Sequence, residues 1–292
     1  RINNKTGNEI VVSRTAPVNV QIAYTNNLSV PIQDTEITLN IAGLAFDKNA
    51  IEVEGGFFQS LNNTVTWSKS TFPKLAETLP GEGGIITLTL VPKQSGIQNP
   101  EILLSANVKS KRVEESQVPG EIISTIASRI KFESDVNLTV RSLYGTSVLK
   151  NSGPTPPKAE KETTYAIVMS VSNGSNDMTD TVVTTNLPSY VRYLEEVHPN
   201  SENITFDESK REVVWRAGVV RTGTGTIRAA KEVAFKVSIT PSTSQVGNSP
   251  NLAGTFILKG EDRFTNTTVS IERPGVTTKA EDLQIGYGDV VP

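Results

Sequence analysis

Apolar and polar residues alternate along most of the chain. Val18, Val20, Ile22 and Tyr24 take turns with Asn19, Gln21 and Ala23, and Ile86, Leu88 and Leu90 with Thr87 and Thr89. Val136, Leu138 and Val140 interleave with Asn137, Thr139 and Arg141, and Val233, Phe235, Val237 and Ile239 with Ala234, Lys236 and Ser238. A period of two is what a strand with one buried face requires. Gly, Pro, Asn and Asp punctuate the runs at the spacing of strands and turns, and Thr and Val are abundant. Only Glu121–Ile130 carries apolar positions at helical spacing, through Ile122, Ile123, Ile126 and Ile130. Its β-branched content favours a strand. The pattern predicts an all-β protein.

The pattern also repeats. Thr64-Val65-Thr66-Trp67 returns as Glu212-Val213-Val214-Trp215, with the tryptophans 148 positions apart. Each is followed by a loop containing Gly and Thr and then by an alternating strand closed by proline, Ile86–Pro92 in one half and Phe235–Pro241 in the other. Ile22, Tyr24 and Asn26 correspond to Met169, Val171 and Asn173, and Pro100 and Ile102 to Pro250 and Leu252. The offset drifts only where turns intervene, because loops gain and lose residues more freely than strands. This predicts one module copied in series: two tandem immunoglobulin-like β-sandwich domains, over 1–133 and 134–279. Residues 280–292 then read as the start of a further repeat or a linker, since Asp282–Ile285 and Gly286-Tyr287-Gly288 echo Val140 to Tyr144-Gly145. The chain looks like a trimmed segment of something longer.

Within the second domain an ordered set of residues carries a family likeness. An alternating strand ends in Ser172-Asn173. Next come the Asp180-Thr181 step, the Leu187-Pro188 turn, Val191-Arg192-Tyr193, a short strand over Asn203–Phe206, the Asp207 turn, the Trp215 strand and the Phe235–Pro241 strand. Over about 110 residues this resembles the bacterial "conserved repeat domain" of surface proteins, domain of unknown function eleven. The first domain follows more loosely, with Asn40-Ile41-Ala42-Gly43 in place of the Leu-Pro turn and extra residues around Gly55-Gly56. The resemblance implies a sandwich module strung in tandem on bacterial envelope proteins, fibres and adhesins, without chemistry of its own.

Composition narrows the choices further. The 292 residues suit two domains, and each half is long enough for a core without staples. Cysteine is absent, which removes disulfides, thiolate metal sites and thiol nucleophiles. A net charge of −3 gives no case for nucleic acid or an anionic membrane, and the group Lys109, Lys111 and Arg112 reads as a solvated face. No apolar run approaches the roughly 18 residues that cross a bilayer. The tryptophans share the inward register of Val65 and Val213 and are expected to fill the space between sheets. The prolines close strands, and Asn26-Asn27 and Asn173-Gly174 suit turns with positive φ.

Candidate chemistry is sparse, and no catalytic, cofactor-binding or metal residue is assigned. His198, the single histidine, sits before Pro199-Asn200 in a polar turn. The pairs Glu114-Glu115 and Glu195-Glu196 are adjacent in sequence, so strand geometry sends their carboxylates apart. Gly81, Gly83 and Gly84, and Gly223 and Gly225, lack the Lys-Ser/Thr and helix that a phosphate loop needs. No cofactor is implied. Bound calcium is the alternative, with Asp34, Asp177, Asp180, Glu261 and Asp262 as oxygen donors, although their spacing matches no calcium loop. Asn4, Asn27, Asn62, Asn137, Asn173, Asn203 and Asn266 open glycosylation sequons, which an Asn- and Thr-rich chain generates by composition.

Three functional readings follow. The first is a non-enzymatic structural or spacer module, extracellular or on a bacterial or archaeal surface, whose partners are neighbouring repeats or copies of itself. The second is an adhesin binding glycan or protein through end loops, with loop 143–161 and Gly55-Gly56-Phe57-Phe58 as candidates; buried packing is the expectation for the two phenylalanines. The third is a subunit polymerising by strand donation through Glu9–Val12 or Gln284–Val291.

Overall fold

The computed structural model describes residues 1–93, 97–113 and 119–292. Apart from short 3-10 turns at Lys48–Ala50, Pro73–Leu75 and Thr243–Gln245, regular structure among them is β. Contacts divide the chain into a unit of Arg1–Glu133 and a unit of Ser134–Pro292.

The first unit comprises β1 (Glu9–Val12), β2 (Val18–Thr25), β3 (Ile32–Ala42), β4 (Glu52–Val53), β5 (Phe57–Gln59), β6 (Thr64–Trp67), β7 (Glu77–Thr78), β8 (Gly83–Leu90), β9 (Glu101–Val113) and β10 (Pro119–Phe132). One sheet runs β1-β10-β9-β3-β6-β5 with β7 beside the start of β3, and the other runs β2-β8-β4. The stretch that could have read as a helix, Glu121–Ile130, is the body of β10. Val18, Val20, Ile86, Leu88 and Leu90 from one sheet meet Ile37, Leu39, Trp67, Ile102, Leu104 and Phe132 from the other in a single core. These are the alternating apolar positions, all directed between the sheets.

The second unit comprises β11 (Asn137–Leu143), β12 (Thr163–Ser172), β13 (Met178–Asn186), β14 (Val191–His198), β15 (Asn203–Asp207), β16 (Glu212–Val220), β17 (Lys231–Ile239), β18 (Asn251–Ala253), β19 (Phe256–Asp262), β20 (Thr267–Arg273) and β21 (Val276–Thr277). Its sheets run β11-β12-β17-β14 and β15-β16-β13-β19-β20, with β18 and β21 as a separate pair. Leu138, Ile167, Met169, Phe235 and Val237 pack against Val183, Val213, Trp215 and Leu258.

Each unit carries a bulge in the strand at the centre of its larger sheet. In β3 the register against β9 shifts between Gln33 and Glu36, and Asp34 has φ 50°. In β13 the register against β19 shifts between Thr179 and Val182, and Asp180 has φ 51°. Aspartate is among the few non-glycine residues that tolerate this left-handed conformation.

The strand expected at Asp282–Ile285 does not form. Residues 280–292 are a series of turns fastened to the second unit. Ala280 is buried and Leu283 packs on the core. Val290 N–H donates to Asn248, Val291 N–H to Pro157, and Glu281 N–H to Ser142. The echo of Tyr144-Gly145 in Tyr287-Gly288 is one of composition alone.

Candidate functional site: tryptophan clamps and polar locks

The residues that set each sandwich's geometry are structural, and they recur at matching places. Trp67 and Trp215 are both fully buried. The Trp67 Nε1–H donates to the backbone carbonyl of Glu54 at 2.9 Å, and the Trp215 Nε1–H donates to the carboxylate of Glu202 at 2.8 Å. Both acceptors lie 13 residues earlier in the chain. A buried indole needs such a partner, because an unmet N–H in a core costs about 1–3 kcal/mol. Gly56 is part of the same device: a Cβ there would stand 2.6 Å from the Trp67 Nε1, so only glycine lets the chain pass over the ring. This gives Gly55-Gly56 a packing role. Phe58 packs partly buried against the core, whereas Phe57 is 64% exposed, so buried packing holds for one phenylalanine and not the other.

Asn26 and Asn173, both buried, end β2 and β12 with one arrangement. The Asn26 N–H donates to Glu82 O and its carbonyl accepts from Gly81 N–H. The Asn173 N–H donates to Thr224 O and its carbonyl accepts from Gly223 N–H. The side-chain amide of each then donates to two backbone carbonyls, Val30 and Thr78 for Asn26, Asn176 and Val220 for Asn173. Gly81 and Gly223 have φ of 78° and 82°. They are turn glycines that clasp an asparagine. Buried and fully engaged, Asn173 cannot accept a glycan.

The second unit adds two carboxylate locks. Asp262, 1% exposed, accepts from the backbone N–H groups of Ser134, Phe264 and Thr265 and from the side-chain amide of Asn176. Four donors satisfy a carboxylate that burial would otherwise penalise. Asp282 accepts from the N–H groups of Tyr144, Gly145 and Thr146 and from the Thr146 hydroxyl, and so ties the C-terminal turns to loop 143–161. Burial raises its carboxyl pKa, but the bonds from Thr146, Tyr144 and Gly145 outweigh this and hold it below the usual aspartate value. Within that loop, Asn151 donates to the carbonyls of Leu143 and Tyr144, and the Tyr144 hydroxyl donates to Gly153. The long-range half of the Asp262 lock, from Ser134 and Asn176, and the whole of the Asp282 lock span more than 80 residues of chain, which no local pattern announces.

The remaining candidates do not converge. Asp34 accepts from Lys69 and Lys111, whose hydrogen bonds lower its pKa, and it belongs to a different unit from the other calcium candidates. Asp177 accepts from the N–H and hydroxyl of Thr222, and Glu261 from the Thr268 hydroxyl. Among the described residues no three or more His, Asp or Glu gather into a group that could hold a metal. His198 is exposed at the end of β14 beside a cavity of about 350 Å³ that Ser147, Glu232 and Arg141 also line. Glu232 pairs with Arg141 and the Ser147 hydroxyl accepts from Leu149 N–H, and neither is hydrogen-bonded to the imidazole. Glu196 pairs with Lys236, and Glu195 sits on a bulge in β14 at φ 59°. Glu114-Glu115 lie outside the described residues.

Both segments considered as strand donors are engaged at home. Glu9–Val12 pairs with Arg129–Phe132 of its own unit, and the segment ending at Val291 is bonded as described above.

These two sandwiches define an all-β, immunoglobulin-like architecture with packed interiors. No family model matches the chain, the conserved repeat domain included, and no curated protein matches it. Among solved structures it is similar to the C-terminal domain of the AgI/II polypeptide BspA of Streptococcus agalactiae, at 10% identity and a TM-score of 0.29, over 92% of this chain and 95% of that one. It is also similar to the C-terminal domain of the antigen I/II-family protein AspA of Streptococcus pyogenes (9% identity, TM-score 0.31, 93% and 94% covered). A third is BcpA, the major pilin subunit of Bacillus cereus (10% identity, TM-score 0.32, 89% and 68% covered). Likenesses this loose bear on no residue's role.

Proposed function

We propose that the chain is a non-catalytic structural or spacer module of a bacterial cell-surface or extracellular fibre protein, a copied sandwich of the conserved-repeat kind. The observation that supports this best is the parallel pairing of the first and last strands of the first unit. Glu9–Val12 of β1 lies alongside Arg129–Phe132 of β10, with Arg129 N–H donating to Asn8 O and Glu133 N–H donating to Val12 O. Tension applied at the two ends of that unit pulls these strands in opposite directions along their length. The ladder bonds are then loaded together in shear, not opened one at a time. Such a unit transmits tension while keeping its core closed, which is what a spacer must do.

Single-molecule pulling tests this. With handles at Glu9 and Phe132 the first unit should unfold in one step, at a higher force than with handles at Glu9 and Gln59, which load the larger sheet across its strands. Equal forces in the two geometries would remove the support for a tension-bearing role.

A further inference from the structure

The outer face of the larger sheet in the first unit carries two rows of side chains without a charge. Strand register sets one row across β10, β9, β3, β6 and β5 as Thr125, Asn107, Thr38, Thr66 and Phe57. The next row along the strands is Ala127, Ser105, Asn40, Thr64 and Gln59. Both rows point away from the core, since Ile37, Leu39, Val65, Trp67 and Ala106, which alternate with them, are buried. Charge returns in the flanking rows, at Glu36 and Lys109 on one side and Arg129 on the other.

The second unit supplies the comparison. Ile37 lies opposite Trp67 as Val183 lies opposite Trp215, so Thr38 and Asn40 correspond to Thr184 and Asn186. The row through Thr184 runs Thr205, Val214, Thr184, Ile257 and ends on Glu272. The row through Asn186 sets Glu212 and Asp207 side by side. Where one sandwich is acidic, the other presents hydroxyls and amides, with Ala127 and Phe57 as the apolar members. Two of the amides are already held. The Thr125 hydroxyl donates to Asn107 Oδ1 at 2.7 Å, and the Asn62 amide donates to Gln59 Oε1 at 3.1 Å. Phe57, 64% exposed, stands at the β5 end of its row.

These groups select by exclusion. A nucleic acid or other polyphosphate needs cations, and the two rows have none. A protein partner needs an apolar patch to desolvate, and Phe57 is the one large apolar side chain in the rows. Hydroxyl and amide groups both donate and accept, as sugar hydroxyls require, and an exposed aromatic ring offers its face to a sugar's C–H surface. Neighbouring strands stand about 4.8 Å apart, close to the advance per sugar in the extended chain of a cellulose-type glucan. We propose that this face binds a neutral, extended polysaccharide of the cellulose type, laid along the rows across the strands. The site is a sheet face, separate from the end loops, and it is independent of whether the unit bears tension.

The probe is cellohexaose, titrated into the whole chain and followed through side-chain and backbone amide shifts. Saturable shifts are expected at the side-chain amides of Asn40, Asn107 and Gln59 and at the backbone amides of Thr38 and Thr66. Phe57→Ala should weaken binding by about three- to tenfold. Gln59→Asp combined with Thr64→Glu installs the acids of the second unit and should weaken binding by about tenfold or more. Its unfolding transition should stay in place, because the second unit folds with those residues at the matching positions. Absence of saturable shifts, equal binding of free glucose, or undiminished binding by the double variant would overturn the proposal. So would self-association through the same amides that cellohexaose fails to displace, since a second copy would then cover the face.

Discussion

The two units differ in how they finish the side of the sandwich beside their second strand. In the second unit, β11 covers β12 along its length, and the Arg273 guanidinium fastens β20 to β11 through the Leu138 carbonyl. In the first, the segment before β2 serves both sheets: Arg1–Asn3 attends to β2 and Glu9–Val12 pairs with β10. The cores are alike in kind, yet β11 is paired with β12 alone, whereas the segment before β2 reaches across from one sheet to the other. Two sandwiches with the same interior can therefore be finished by different strand pairings.

The largest break in this comparison should come from the tryptophans. Trp67→Ala and Trp215→Ala should each cost about 3–5 kcal/mol, a large share of the 5–15 kcal/mol that holds a domain folded. Amide exchange resolved by unit would show the loss confined to the unit mutated. Trp67→Phe and Trp215→Phe sharpen the contrast, since one frees a neutral carbonyl and the other a carboxylate. Hydrogen bonds to charged groups are worth about 1.5–3 kcal/mol against 0.5–1.5 for neutral ones. Trp215→Phe should thus exceed Trp67→Phe by about 1 kcal/mol in denaturant unfolding, and equal costs would refute the distinction.

A smaller effect separates the units by pH. Because the folded pKa of Asp282 lies below its ordinary value near 3.8, its stabilisation is complete above that value and is lost as pH falls through the folded pKa. Acid should accelerate exchange at the Val290 and Val291 amides before the core opens, with no parallel event in the first unit. Asp282→Asn should show the faster exchange already at neutral pH, with the acid dependence of those amides gone. The smallest effect is expected at Asp34. Its lysine partners are more than half exposed, so solvent screens the pair, and Asp34→Asn should leave the unfolding midpoint unchanged within error while keeping a residue that tolerates positive φ.

Much of this architecture is legible in sequence because it rests on local periodicity. Alternation located β2, β8, β11 and β17, and the inward register placed both indoles in cores. Asparagine just after β2 and β12 was readable as turn chemistry, but the positive φ expected of Asn26-Asn27 and Asn173-Gly174 falls instead on Gly81 and Gly223, the glycines these asparagines clasp. Pairing across long chain separations leaves no local trace, which hides the Asp282 lock and the bonds of Asp262 to Ser134 and Asn176, though not its turn onto Phe264 and Thr265. Asp282–Ile285 has the alternation of a strand, but its backbone turns where Asp282 is held by the N–H groups of Tyr144, Gly145 and Thr146. Phe57 and Phe58 show the limit of alternation, since adjacent residues on a strand must part company, one toward the core and one toward water.

Asp34 and Asp180 bear on creep under sustained load. A uniform ladder can slip by two residues and recover the same facing of side chains, so nothing in its pattern resists gradual sliding. A left-handed residue cannot travel that way. Moving β3 past β9, or β13 past β19, by two residues would hand the positive φ to a residue such as Ile32 or Val182, whose branched Cβ opposes it. Each bulge is thus a pin through the middle of its sheet, fixing the strands against drift long before any of them separates.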